Sequence, residues 1–207
     1  MDYLANIFQQ ILVFNYNGLA TLGIESYGLA IIVMTIIIKA VLYPLTKKQI
    51  ESSAAMMELQ PKMKAIQEKY KNNKEVLNQK MGELYQSHGV NPLSGCLPLL
   101  VQMPIMIGIF YGIRDFQYVG PSSFLWMQSL SVADPIHILP VLSALSTMIQ
   151  SKQTMPDTGT MQSKIMLYAM PVFIGYISWT FPAGVVIYWI VMNFMQIGQQ
   201  YLMGKNK

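Results

Sequence analysis

The chain has 207 residues, 53% of them hydrophobic and only 12% charged, with a formal net charge of +4 and one cysteine. An average soluble domain carries roughly 25% charged residues, so this is a membrane composition, with room for one integral unit of several spans but not for a large soluble domain beside it. Cys96 has no partner for an internal disulfide and no second cysteine with which to hold a metal, which argues against a disulfide framework and against redox chemistry.

Residues 2–16 place Leu4, Ile7, Phe8, Ile11 and Leu12 at helical spacing, with Asn6, Gln9, Gln10 and Asn15 between them. The pattern predicts an amphipathic helix, too polar on one face to span and suited to the membrane interface. It has no basic n-region and no A-x-A-like cleavage site, so it is not read as a secretory signal peptide. Five apolar segments follow, at 28–46, 96–116, 135–150, 165–181 and 183–203, each near the roughly 17–25 residues a spanning helix needs. The third is short and holds Pro140, Ser143, Ser146 and Thr147, so its freed backbone groups need neighbouring helices. Pro98 and Pro104 in the second segment and Pro171 in the fourth predict kinks or late helix starts. The turn "FPAG", Phe181 to Gly184, makes the last two segments an antiparallel pair.

A polar block lies between the first two segments, from Lys47 to Val90. Eight of the chain's fourteen basic residues sit in it: Lys47, Lys48, Lys62, Lys64, Lys69, Lys71, Lys74 and Lys80. The residues before the first span carry Asp2 and Glu25 and no basic group, while Lys152, Lys164, Lys205 and Lys207 fall in a later linker and the tail. The positive-inside rule then puts the N-terminus outside, with the polar block, the 151–164 linker and the C-terminus in the cytoplasm, as an odd number of spans requires. The predicted fold class is an all-α polytopic membrane protein: five transmembrane helices, N-out and C-in, an N-terminal interfacial helix, and a cytoplasmic helical hairpin over 52–90. Met63, Ile66 and Tyr70 form one stripe of that hairpin, and Leu77, Met81, Leu84 and Tyr85 the other, with Lys71 to Asn73 as the turn. A solvated lysine-rich connector is the competing reading of the same block.

Covalent chemistry finds no support. There is no phosphate loop, no dinucleotide fingerprint and no H-E-x-x-H, so no nucleotide, metal or other cofactor is expected. His88 and His137 fall on opposite predicted sides of the membrane, and no G-x-S-x-G precedes a helix, so the chain does not read as an enzyme.

One charge stands inside an apolar run: Lys39, in "TIIIKAVLYPL". A lysine near a helix centre costs about 2.5–3.5 kcal/mol on insertion scales. Two readings stay open on position alone. Lys39 lies about 12 Å up the helix from Lys47, and its stem of about 6 Å reaches part of the way to the border by snorkelling. The other reading is a hydrated cavity, with Thr35 one turn away on the same face. Gln102, Gln150, Asn193 and Gln196 add polar groups at membrane depth, each ordinarily helix-to-helix glue worth about 1 kcal/mol. Gly108 and Gly112 form a small-xxx-small pair that predicts close helix packing.

"LQPKMKAIQEKYKNN" leading into "HGVNPLSGCLPLLVQMPI", together with "GLAIIVMTIIIKAVLYPLTKKQ" and "FPAGVVIYWIVMN", closely resembles the YidC, mitochondrial Oxa and chloroplast Alb membrane protein insertases. The resemblance covers nearly the whole chain from Gly28 onward, and the size resembles the short bacterial YidC form without a large extracytoplasmic domain. It implies a membrane protein insertase and folding chaperone of the bacterial plasma membrane, with five core helices around a positively charged groove open to the cytoplasm and the lipid. The groove charge of the family, nearly always arginine, corresponds to Lys39, which keeps the charge but loses the planar fork that binds carboxylates bidentately. Substrate-contacting positions correspond to Thr35 and Trp189, and a groove glutamine to Gln150. Implied partners are nascent membrane proteins, the lipid bilayer, the ribosome through a basic tail reduced here to Lys205 and Lys207, and a Sec translocon, with no nucleic acid contacted except through the ribosome. The alternatives are a small anion transporter or channel, for which the chain lacks internal repeats, and a membrane scaffold whose hairpin docks a partner.

Overall fold

The computed structural model describes residues 2–91 and 97–204. Cys96, where the second apolar segment begins, and the tail lysines Lys205 and Lys207 lie outside the described residues. The described residues form α1 (Asp2–Ala20), α2 (Tyr27–Val41), α3 (Tyr43–Glu58), α4 (Gln60–Lys69), α5 (Lys74–Ser87), α6 (Leu97–Arg114), α7 (Ile138–Thr154), α8 (Met161–Lys164), α9 (Met170–Ser178) and α10 (Ala183–Gly204). A π-helical turn, Ile165–Ala169, leads from α8 into α9 just ahead of Pro171, which has no N–H to give. Apart from an isolated bridge between Phe124 and Met127, no strand pairing occurs among the described residues.

The first apolar run, expected as a single helix over 28–46, is divided. Helices α2 and α3 meet at Leu42 and are bent by 70° to one another. Pro44, in the first turn of α3, cannot donate to the preceding turn, so the helix ends and restarts. Helix α3 then continues to Glu58, so residues 52–58, expected as the start of the hairpin, extend α3 instead. Among the described residues no single helix is long and apolar enough to cross a membrane, while the bent pair α2 and α3 passes that test together.

The hairpin proper is α4 against α5. Pro61 stands in the first turn of α4, and Asn73 caps α5 by accepting from the Val76 N–H at 3.2 Å. Leu59, Met63 and Leu84 are buried between the two helices, with Ile66, Met81, Tyr85 and Val90 around them. Lys71 to Asn73 falls in the turn, as the sequence predicted. One hydrogen bond, from Gln60 Nε2 to the Asp157 carbonyl at 2.7 Å, ties the hairpin to the segment after α7.

In the bundle, α10 lies against α2 and α7, α7 against α9, and α1 against both α6 and α2. Helix α1 therefore docks on the bundle. Its Leu12 is buried, and Gly108 and Gly112 of α6 make room for it: a Cβ at Gly108 would come within 2.5 Å of the Phe8 ring. Gln9 Nε2 donates to the Gly112 carbonyl at 3.2 Å across the same contact. Tyr16 of α1 stacks on Tyr27 of α2 at 3.9 Å between ring centroids.

Helix α10 begins where three elements meet. Its first N–H groups, which have no partner within the helix, donate to loop carbonyls: Ala183 to Val132 at 2.7 Å and Gly184 to Leu130 at 3.0 Å. A Cβ at Gly184 would stand 2.9 Å from Ile113 of α6 and 3.0 Å from Ile31 of α2, so only glycine permits this approach. Asp134 serves α7 in a similar way. Its carboxylate accepts from Leu139 N–H at 2.8 Å, Ile136 N–H at 3.1 Å and Trp126 Nε1 at 2.8 Å.

Most of the bundle interior is apolar, with Ile31, Met34, Ile109, Ile113, Val186 and Tyr188 in its core, but polar side chains are buried beside that core and apolar ones cover the outside. On α2, Thr35 and Lys39 are buried, while Ile36, Ile37 and Val41 are exposed. On α7, Ser143, Ser146, Thr147 and Ser151 are buried, while Val141, Leu142, Leu145 and Ile149 are exposed. A water-facing helix shows the reverse pattern.

Candidate functional site

Helix α2 begins at Ser26, whose hydroxyl accepts from the Leu29 N–H at 3.3 Å, and runs through an apolar stretch in which only Thr35 and Lys39 are polar. The two are one turn apart and share the face turned to α10. Lys39 is 5% exposed, and its Nζ donates to Oε1 of Gln196 at 2.6 Å. It is therefore held between α2 and α10. No carboxylate forms an ion pair with Lys39 among the described residues. An ammonium has three donors; one is spent on a neutral amide.

A hydrogen bond to a charged group returns about 1.5–3 kcal/mol, against an insertion cost of about 2.5–3.5 kcal/mol for the lysine. The amide thus offsets much of the cost of keeping Lys39 inside, and it supplies no opposing charge.

Thr35 is completely buried, and its hydroxyl donates to the Ile31 carbonyl of its own helix at 2.7 Å. That bond uses the donor locally, so Thr35 contributes shape and an oxygen lone pair beside Lys39.

Trp189 points elsewhere. Its Nε1 donates to Thr147 Oγ1 on α7 at 2.9 Å. The Asn193 amide meets the same hydroxyl at 2.9 Å and Ser146 Oγ at 3.1 Å. The network is best satisfied with the Asn193 oxygen on this side, where it also accepts from Trp189 Nε1 at 3.2 Å. Four side chains thereby close a polar knot between α7 and α10. Gln150, half-buried on α7, makes no hydrogen bond to Lys39.

Of the four expected site residues, Lys39 and Thr35 are brought together, Trp189 is joined to α7 through Thr147, and Gln150 is joined to none of them. The partner the sequence did not single out is Gln196. It stands among the polar groups at membrane depth, but nothing in the linear pattern pairs it with Lys39. Tyr188 is a second such residue: fully buried on α10, it accepts from Gln102 Nε2 of α6 at 2.8 Å. Helix α10 is thus the hub, with a polar anchor to each of α2, α6 and α7. Among the described residues no group of three or more His, Cys, Asp or Glu is placed to hold a metal.

Comparison with known proteins gives a consistent result. The family model described as "60Kd inner membrane protein" matches residues 19–207. The membrane protein insertase YidC of Fusobacterium nucleatum subsp. nucleatum is 40% identical over 205 residues, covering 99% of this chain and 98% of that protein. The YidC of Oceanobacillus iheyensis is 42% identical over 193 residues, 87% of this chain and 75% of the relative. That of Francisella tularensis subsp. novicida is 38% identical over 208 residues, which is 100% of this chain but 37% of a longer protein. Among solved structures, an active YidC insertase crystal structure with its first transmembrane domain resolved matches with a TM-score of 0.69 and 30% identity. It covers 95% of this chain, which spans 46% of the solved one.

Proposed function

Because the chain belongs to the 60Kd inner membrane protein family, that of the YidC insertases, we propose that it is a membrane protein insertase and folding chaperone that moves nascent client helices into the bilayer. The relatives act as insertases by name, so the anion-transporter reading is not favoured.

In this reading the chain crosses the bacterial inner membrane five times, through α2 with the first turn of α3 (28–46), α6, α7, the run from α8 to α9, and α10. The N-terminal end and α1 lie at the outer face, and the α4 and α5 hairpin and the C-terminus in the cytoplasm. Lys39 is the charge of a hydrated groove, with Thr35 beside it and Trp189 and Gln150 on the neighbouring helices. The acidic outer segment of a client is drawn to Lys39 while its apolar helix slides into lipid. Burial of that helix supplies the driving force, and a groove that water enters shortens the dry distance the polar segment crosses. The hairpin receives clients, the basic tail touches the ribosome, and a Sec channel is a potential neighbour.

The observation that carries this reading is the arrangement of α2. A charge is buried at 5% exposure without a carboxylate partner among the described residues, on a helix whose Ile36, Ile37 and Val41 are exposed. The test is insertion into proteoliposomes of a client with an acidic outer segment. Lys39→Ala slows it and Lys39→Arg preserves it; equal rates for all three forms reject a role for the charge.

A further inference from the structure

We propose that Gln196 is the specificity-determining partner of Lys39: its amide oxygen keeps the place that an acidic side chain of a client takes over. The inference rests on the reading of Lys39 as the client-binding charge.

Three observations carry it. Lys39 Nζ spends one donor on Gln196 Oε1 at 2.6 Å and has no ion pair among the described residues. Among the described residues the hydrogen bond of Gln196 is the one to Lys39 of α2, whereas the neighbouring polar residues of α10 bond to α7: Trp189 and Asn193 to Thr147, and Gln200 to the Gln153 carbonyl. Releasing Gln196 therefore leaves the α7 contact intact. Lysine, finally, is a point charge on a flexible stem, which can turn from one acceptor to another without giving up a paired fork as arginine would.

The chemistry of the exchange gives selectivity. A carboxylate binds an ammonium more strongly than an amide does, by a factor on the order of ten in equilibrium terms. An acidic client residue displaces Gln196 outright. A client amide or hydroxyl meets an equal competitor and engages only in part. Gln196 thus sets a threshold that anions pass and neutral polar groups do not.

The experiment uses the full chain in proteoliposomes and two clients that differ at one residue of the outer segment, Asp or Asn. Wild type inserts the Asp client faster, by up to about tenfold on the same estimate. Gln196→Glu gives Lys39 a permanent internal carboxylate, so both clients fall to their Lys39→Ala rates, the Asp client by the larger factor because it alone engaged fully. Gln196→Leu removes the competitor, so the Asn client rises toward the Asp client. The exchange Lys39→Gln with Gln196→Lys returns charge and amide to the same contact and restores the preference for Asp.

Wild-type rates for both clients in Gln196→Glu, or equal slowing of both in Gln196→Leu, overturn the proposal; the second result marks a merely structural residue. A wild-type preference for Asp in Lys39→Ala instead rejects the reading of Lys39 on which the proposal stands.

Discussion

The indole of Trp189 on α10 donates to the hydroxyl of Thr147 on α7 at 2.9 Å, and Asn193 closes on the same oxygen at 2.9 Å. One threonine therefore satisfies two larger side chains across the contact. Thr147→Val keeps the shape and removes the oxygen, so the indole keeps only the Asn193 oxygen and the amide only Ser146 and the indole. The expected loss is about 1–2 kcal/mol, within the range for buried polar groups and interhelical bonds in membranes. Thr147→Ser retains the hydroxyl and is expected to stay near wild type. Thermal unfolding in detergent, followed by loss of the monodisperse peak, distinguishes the two; equal midpoints would mean that the knot contributes nothing.

Gly108 admits the Phe8 ring so closely that a Cβ would come within 2.5 Å of it. Gly108→Leu should push α1 off α6, with an overpacking cost of about 1–3 kcal/mol. Accessibility of a cysteine placed at Leu12, which is 1% exposed, reports the displacement. Phe8→Ala in the same chain should relieve it. A cysteine at Leu12 that stays protected in Gly108→Leu contradicts this account of how α1 is held.

Asp134 links the loop before α7 to the first turn of that helix. Burial pushes its carboxyl up, but the bonds donated by the Leu139 N–H, the Trp126 indole and the Ile136 N–H outweigh it and hold the carboxyl below its ordinary value. A depressed folded value means that its stabilisation is present above the unfolded pKa, about 3.9, and is lost as pH falls through the lower folded value. Wild type should therefore lose stability below about pH 4 more steeply than Asp134→Asn, which has no carboxyl to protonate. At neutral pH, Asp134→Ala should cost about 1–3 kcal/mol, because it leaves buried donors unmet. Parallel pH profiles for wild type and Asp134→Asn would count against the cap.

The hairpin offers a contrast between apolar and ionic contacts. Lys80 and Glu83 form an ion pair at 2.6 Å with exposed side chains, whereas Met63 is 4% exposed against Leu84. Exposed pairs contribute little, and buried methionines much. Glu83→Gln should leave hydrogen exchange across residues 60–87 unchanged. Met63→Ala should speed it throughout α4 and α5, with a loss of about 2–5 kcal/mol if the pair unfolds as a unit. Similar exchange in both variants would refute the assignment of hairpin stability to the Met63 contact.

Particular residues mark how much was legible beforehand. The turn at Lys71 to Asn73, the hairpin stripes of Met63 with Ile66 and of Met81 with Leu84 and Tyr85, the close approach at Gly108, and the isolated charge at Lys39 all followed from spacing and residue type. These are local properties, set by helical period, capping chemistry and the cost of a charge in an apolar run. The division of 28–46 at Leu42 was within reach of Pro44, but its angle was not, since proline permits a range of bends and packing selects one.

What only the tertiary structure decided is which face meets which neighbour. The sequence by itself put Lys39, Gln102, Gln150, Asn193 and Gln196 at membrane depth, and any of several pairings would have satisfied them. The packed bundle turns Gln196 to Lys39, Tyr188 to Gln102, and Trp189 with Asn193 to Thr147. Periodicity determines which residues share one side of their own helix. The partner on the next helix depends on crossing geometry, which contacts far apart in the chain bring about, including Gly184 against Ile31 and Ile113.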